Sequence, residues 1–153
     1  MRIVLEKDTM TPDLQARIDR WGHPRPALRK MGELMANWAK DAFRNPAKRP
    51  TEWPPLKPST LKKKKGRGTP LVYHGVLKRS PRVVSCDDRS VVVGSDRKAG
   101  SYSLAAIHQL GAPRAKIPAR PFFPFHPGVR ALAAFEEKCR KILKDYLEKG
   151  SAR

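Results

Sequence analysis

The sequence predicts an α+β fold: a small antiparallel β-sheet packed against two amphipathic helices, with long extended arms and loops. Three observations carry this. Apolar residues recur with helical spacing over residues 26–43 and again over 129–149. Two short β-branched runs, 82–86 and 90–95, flank the turn-forming Asp87-Asp88-Arg89. The 15 prolines among 153 residues are about twice the usual share of roughly 5%, so much of the chain between these elements must be extended or turning.

Taken in order, residues 2–6 (RIVLE) read as a short edge strand. Thr11-Pro12-Asp13 reads as a helix start, with Thr11 as cap and Pro12 at the first helical position. That helix stops by Trp21-Gly22, before Pro24. The next helix, 26–43, places Leu28, Met31, Met35, Trp38 and Ala42 on one stripe, and Asn45-Pro46 ends it. Residues 46–70 form a proline- and lysine-rich arm without regular structure, in which Trp53 and Leu56 pin the base to the body. The pair 82–86 and 90–95 forms a hairpin. A short helix spans 105–110 and closes at Gly111. Residues 113–127 are a second extended stretch. The last helix, 129–149, carries Val129, Leu132, Phe135, Cys139, Ile142, Leu143, Tyr146 and Leu147 on its apolar face, and Gly150 ends it.

A chain of this length holds one domain, 1–153, with the 46–70 arm inside it. Apolar residues make up 39%, enough for one modest core and too much for a wholly disordered basic tail. Cys86 and Cys139 lie far apart without a CxxC pair, which excludes a disulfide-rich scaffold and a cysteine zinc site. No apolar run approaches the length of a membrane span and no signal-peptide pattern opens the chain. The expectation is a soluble protein made in a reducing cytosol, without membrane contact.

The net charge is +19, and it is unevenly placed. Residues 57–82 contain nine basic side chains and no acidic one. Lys57, Lys62, Lys63, Lys64, Lys65 and Arg67 concentrate it. Like charges at that density repel and resist burial, so the arm is expected to be solvated and irregular, available to DNA or to an acidic protein neighbour. With no aromatics interleaved among these lysines to stack bases, a DNA contact through them would be to phosphates and non-specific.

No arrangement for catalysis emerges. His23, His74, His108 and His126 are scattered without metal-ligand spacing, and His108 reads as a packed histidine. Ser95 follows Gly94 but lies in no GxSxG turn. Gly66-Arg67-Gly68-Thr69 lacks the Lys-Ser/Thr ending of a phosphate loop. Cys139 sits on a helix's apolar face, and the pairs Asp87-Asp88 and Glu136-Glu137 do not face each other as catalytic carboxylates would. The chain is therefore read as a non-enzyme with no catalytic residue, metal or cofactor.

The segment Ala119-Arg120-Pro121-Phe122-Phe123-Pro124-Phe125 is more informative. Its three phenylalanines, stiffened by proline, either cap the chain's own core or anchor a subunit contact together with Trp53, Leu56 and Arg120. The Arg120 guanidinium can bond several backbone carbonyls at once and lock an irregular segment.

Five motifs occur in a recognisable order. They are Trp53-Pro54-Pro55-Leu56-Lys57-Pro58-Ser59-Thr60 followed by Lys62 to Lys65; the set Leu71, Gly75, Leu77 and Ser80; Val93-Gly94-Ser95; Ile107-His108-Gln109-Leu110-Gly111; and the stretch from Pro118 to Phe122 before a terminal helix. In this order the chain resembles the phage virion morphogenesis family, whose members include tail completion proteins, over roughly residues 26–148. The resemblance implies a small α+β structural protein of the phage neck or tail end. It further implies a homo-oligomer, a ring of six subunits, that caps the completed tail or joins it to the head-side connector. Its setting would be the virion, and the host cytoplasm during assembly, with the tail tube and neck proteins as partners and no cofactor. Electrostatics alone supports another reading, a non-specific nucleic-acid-binding protein that uses the 57–67 arm.

Overall fold

The computed structural model describes residues 10–65, 68–72, 74–128 and 132–150. Within these it is α+β: six α-helices, a two-stranded antiparallel hairpin and a second, minimal strand pair. The strand expected over residues 2–6 lies outside the described residues.

Helix α1 (Met10–Gly22) starts one residue before the expected Thr11 cap. Helix α2 (Arg25–Ala42) is the centre of the fold. It packs on the hairpin β1 (Arg82–Cys86) and β2 (Val91–Gly94) with one face and on α6 (Ala133–Lys149) with another. Where it meets the hairpin it carries a small residue, Gly32, that the large-apolar stripe overlooks. Ala27, Gly32, Ala36 and Ala39 are buried, whereas Leu28, Met31 and Met35 are only partly so. At Gly32 an added Cβ would lie 2.5 Å from Val91 Cγ2 and 3.0 Å from Val83 Cγ2. Glycine is therefore present in mid-helix because the hairpin comes too close for a side chain.

The hairpin pairs Arg82 with Gly94 and Cys86 with Val91, and an irregularity between Val83 and Ser85 turns Val84 outward. Its turn is held by the Asp87 carboxylate, which accepts from the Arg89 and Ser90 amides at 2.8 and 2.7 Å. These bonds hold the Asp87 carboxyl below the usual carboxylate range. The strands β3 (Lys98–Ala99) and β4 (Tyr102–Ser103) add a short pair the sequence did not suggest. Ser103 then caps α5 (Leu104–Leu110) by accepting from the Ala106 amide, and Gly111 ends it at φ +80°.

The expectation that the closing helix shares the sheet with α2 is corrected. Helix α6 packs on α2 and α1 instead. Trp38 and Phe135 make the α2–α6 contact edge to face at 5.5 Å. Towards α1, the Tyr146 hydroxyl donates to the His23 carbonyl at 2.7 Å, and Arg20 Nη1 donates to the Leu147 carbonyl at 2.7 Å. That arginine satisfies a carbonyl at the helix C-terminus and complements its dipole. The outward stripe of α1, Leu14, Ile18 and Trp21, stays exposed at 60%, 56% and 67%.

The main core gathers Ala39, Ala42, Phe43, Leu77, Ala105, Phe122 and Phe123, with Trp53, Leu71, Val72, Val93 and Leu104 packed around it. It joins the end of α2 to the short α4 (Val76–Arg79), α5 and the aromatic segment.

Candidate interaction site

The basic arm begins where α2 ends. Asn45 caps a 3-10 turn, Pro46–Lys48, by accepting from the Ala47 amide. Arg49 then reaches back to the last carbonyls of α2, donating to Ala42 O at 2.7 Å, while its guanidinium lies 3.9 Å from the Trp53 ring centroid. Trp53 in turn meets Phe43 edge to face at 5.8 Å and donates its indole N–H to Pro121 O at 2.7 Å. The base of the arm is thus tied to the body by ring contacts and by two half-buried donors.

Beyond it, the structure corrects the expectation of an arm without regular structure. Pro58–Lys63 forms a helix, α3, with Pro58 at its first turn and Lys62 and Lys63 in its last. Proline's fixed φ favours the start, and lysines at the C-terminal end interact well with the helix dipole, which offsets part of their mutual repulsion. Lys57, Lys62, Lys63 and Lys65 are exposed, as like charges require. Lys64 is not: only 8% of it is accessible, and its ammonium donates to the Thr69 carbonyl. A charged amine tolerates burial when a carbonyl receives it, and burial lowers its pKa from the ordinary lysine value. Arg67 lies outside the described residues.

The aromatic segment is locked in the same place. Backbone groups taken out of water need partners, and Pro121 and Pro124 offer no N–H. Six of the remaining groups have identified partners. Arg120 N donates to His108 O at 2.7 Å; Phe122 N and Phe123 N donate to Gln109 Oε1 at 3.0 and 3.2 Å. The carbonyl of Pro121 accepts from Trp53, that of Pro124 from Leu132 N at 3.2 Å, and that of Phe125 from Gln109 Nε2 at 2.6 Å. Gln109, buried on α5, therefore clamps a segment that cannot form a sheet ladder. Its role is not legible in the sequence, because a glutamine at a helix end is ordinarily solvated.

Arg120 holds the other wall. Its side chain, 7% accessible, donates through Nε and Nη2 to Pro54 O at 3.1 and 3.0 Å, and through Nη2 to Pro55 O at 3.1 Å. These are the carbonyls of the arm's own extended stretch, so the guanidinium fork fastens 54–55 to 120 within one chain.

The phenylalanines separate. Phe122 is fully buried and Phe123 is 7% accessible, both in the chain's own core. Of the two alternatives, a core cap or a subunit contact, these two take the core: Phe43 lies 5.1 Å from Phe122, and Phe122 4.9 Å from Phe123. The reason is that the Gln109 clamp turns the segment inward. Phe125 stacks on Phe123 at 5.9 Å and remains 45% exposed. Trp53 and Leu56 are half-buried.

Between the arm and the 113–120 segment lies an open groove of about 950 Å³. Leu56, Leu71, Val72 and Ile117 give it an apolar floor, and Lys57, Lys63, Lys64 and Lys116 its rim. Among the described residues no aspartate or glutamate lines it. His108 borders it, with Nδ1 buried and without a hydrogen-bond partner. Burial first, and the Arg120 charge second, lower its pKa below the ordinary 6.5. Chemically the groove can bind; it holds no nucleophile–base pair. The Ser95 hydroxyl pairs with Ser80 Oγ at 2.7 Å rather than with a histidine. Burial and Glu136 push the Cys139 thiol up, away from the reactive thiolate. Among the described residues no group of three His, Cys, Asp or Glu side chains could hold a metal ion, and no helix is long and apolar enough to cross a membrane.

The sequence model of the phage virion morphogenesis family matches residues 7–148, nearly the whole chain. The chain belongs to the phage virion morphogenesis family. No match was found among curated proteins or among solved structures. Membership makes this a protein of virion structure and assembly. The match also extends the resemblance towards the N-terminus, from residue 26 to residue 7, so that it includes α1.

Proposed function

We propose that this chain is a ring-forming subunit of the phage neck or tail end, acting in tail completion or in joining tails to heads. Membership of the virion morphogenesis family over residues 7–148 carries the reading. The structure supports it through what the site is built to do. Arg120, Gln109 and Trp53 hold an arm and an aromatic segment in fixed, irregular paths beside an open basic groove, an arrangement for contacting neighbours. The proposed assembly is a homohexamer seated between the tail tube and the head-side connector, formed in the host cytoplasm and retained in the virion. The test is particle size by light scattering and negative-stain microscopy, on the purified chain with and without tail tubes. Rings at tube ends are expected; a chain that stays monomeric in both conditions refutes the reading.

A second reading is favoured by the charge: non-specific nucleic-acid binding through Lys57, Lys62, Lys63, Lys65 and Arg67, which in a neck ring would meet DNA in the channel. Contacts to phosphates release counterions, so the logarithm of affinity falls by roughly 0.9 per phosphate contacted for each unit of log salt. Binding of a DNA duplex with that steep slope supports this reading, and salt-insensitive or undetectable binding refutes it.

A further inference from the structure

We infer that the groove between the arm and the 113–120 segment is a docking site for an extended acidic peptide bearing apolar side chains, supplied by another virion protein. The assignment of the peptide's owner rests on the proposed assembly role; the recognition chemistry does not.

Shape comes first. Both walls are fixed before anything binds. Arg120 holds the 54–55 backbone at 3.0–3.1 Å, the Lys64 ammonium closes 64 onto 69, and Ala112 and Ile117 bond each other both ways at 2.9 and 3.1 Å. Leu71 and Lys116, which line the groove, sit at φ +60° and +53° without being glycine. Such left-handed residues are costly and persist where the surroundings impose them. A preformed groove spares a ligand the cost of ordering its walls.

The lining then selects the ligand. Leu56, Val72 and Ile117 are only partly covered, so an occupant gains by placing apolar side chains on them. Exposed Lys57, Lys63 and Lys116 surround that floor with no carboxylate to balance them, which favours flanking aspartates or glutamates. A nucleic acid fits less well. Among the described residues no Phe, Tyr or Trp side chain lines the groove for base stacking, and the Arg120 fork that would clamp a phosphate is committed to Pro54 and Pro55. Among the described residues the acidic pairs are already engaged within the chain. Of its acidic pairs, Asp87 is engaged in its own turn, and Glu136 and Glu137 flank Arg140 on α6.

The test is fluorescence polarisation on the full chain, with a labelled peptide in which leucines are spaced among aspartates. A second peptide with serine in place of leucine, and unlabelled oligothymidylate as competitor, complete the set. The leucine peptide is expected to bind about tenfold or more tightly than the serine peptide, a difference of roughly 1.4 kcal/mol per tenfold. The exposed double variant Lys63→Glu/Lys116→Glu should weaken it about tenfold, and Ile117→Ser about fivefold, whereas Arg89→Glu on the hairpin turn leaves it within about twofold. Equal binding of the two peptides, or unchanged binding by the double variant, overturns the inference. So does displacement by oligothymidylate at lower concentration than by unlabelled peptide, which would assign the groove to nucleic acid. Because binding is read on the isolated subunit and ring formation on particles, docking can succeed where the ring reading fails, and the reverse.

Discussion

Replacing Arg120 by lysine keeps the charge and removes the fork, which makes it a direct measure of how the arm is held. Three contacts link the guanidinium to two acceptors, Pro54 O and Pro55 O. A hydrogen bond to a charged group contributes about 1.5–3 kcal/mol net, and contacts that share an acceptor do not add fully. The relevant number is therefore two acceptors. Lysine, with one nitrogen at its tip, can satisfy one of them, so Arg120→Lys should cost about 2 kcal/mol. Arg120→Met removes both donors and leaves two carbonyls without partners, for about 4 kcal/mol. In a domain of this size each kcal/mol moves the melting temperature by about 2–4 °C. The expected falls are about 4–8 °C for lysine and about twice that for methionine.

Thermal unfolding followed by circular dichroism and by tryptophan fluorescence reads both, since Trp53 donates to the Pro121 carbonyl beside Arg120. The order matters as much as the size. Equal falls for lysine and methionine would mean that fork geometry contributes nothing. If both variants melt within about a degree of the parent, the arm is not held by Arg120 and the reasoning fails.

Gly32→Ala gains about 1 kcal/mol of helix propensity but forces a Cβ against Val91 and Val83, at an overpacking cost of about 1–3 kcal/mol; a lower urea midpoint is expected, and a raised one refutes the close approach. His108 has a folded pKa below 6.5, so the unfolded chain takes up its proton first on acidification. Stability should fall as pH drops below the ordinary histidine range, with the loss complete once the folded pKa is passed, and His108→Asn should flatten this acid limb of the melting-temperature profile. Among single lysine-to-serine changes, Lys64→Ser should cost about 1–2 kcal/mol because it removes a buried charged donor, while Lys62→Ser, Lys63→Ser and Lys65→Ser stay within about 0.5 kcal/mol; chemical denaturation of the four variants checks it.

The sequence shows the elements whose signals are local. The hairpin follows from β-branched runs around Asp87, the short helix from its closing Gly111, and the closing helix from its apolar periodicity and Gly150. It fails where the deciding term is tertiary. Apart from Trp38 the buried residues of α2 are alanines and a glycine, and the need for Gly32 registers only once the hairpin is in place. Lys64 reads as one of four equivalent lysines, and nothing before folding distinguishes the one that meets the Thr69 carbonyl. Arg120 is legible as a carbonyl-binding fork between Ala119 and Pro121, but its acceptors, more than 60 positions away, are not. The five motifs fall on these same supports. Trp53, Gln109 and Arg120 bind backbone, Leu77 and Phe122 fill the core, Gly75 takes φ +71°, and Ser95 bonds Ser80.

Opposite salt dependences separate subunit association from docking. Each copy carries +19, so bringing copies together in the proposed ring raises like charge density, and added salt screens that repulsion over a Debye length of about 8 Å at physiological strength. The apolar surface proposed for such contacts is Phe125 and the α1 stripe of Leu14, Ile18 and Trp21, which are among the exposed large apolar side chains, whereas Phe122 and Phe123 are already covered. Apolar association is not weakened by screening. Self-association should therefore strengthen as salt rises, whereas an acidic peptide held by Lys57, Lys63 and Lys116 should dissociate. Trp21→Ser tests the first limb, since it removes the largest exposed apolar side chain without touching the core. It should lower the mass seen by light scattering at high salt and leave peptide affinity within about twofold. If instead self-association falls with salt in parallel with peptide binding, copies are held by charge rather than by apolar contact, and neither Phe125 nor the α1 stripe is the subunit interface.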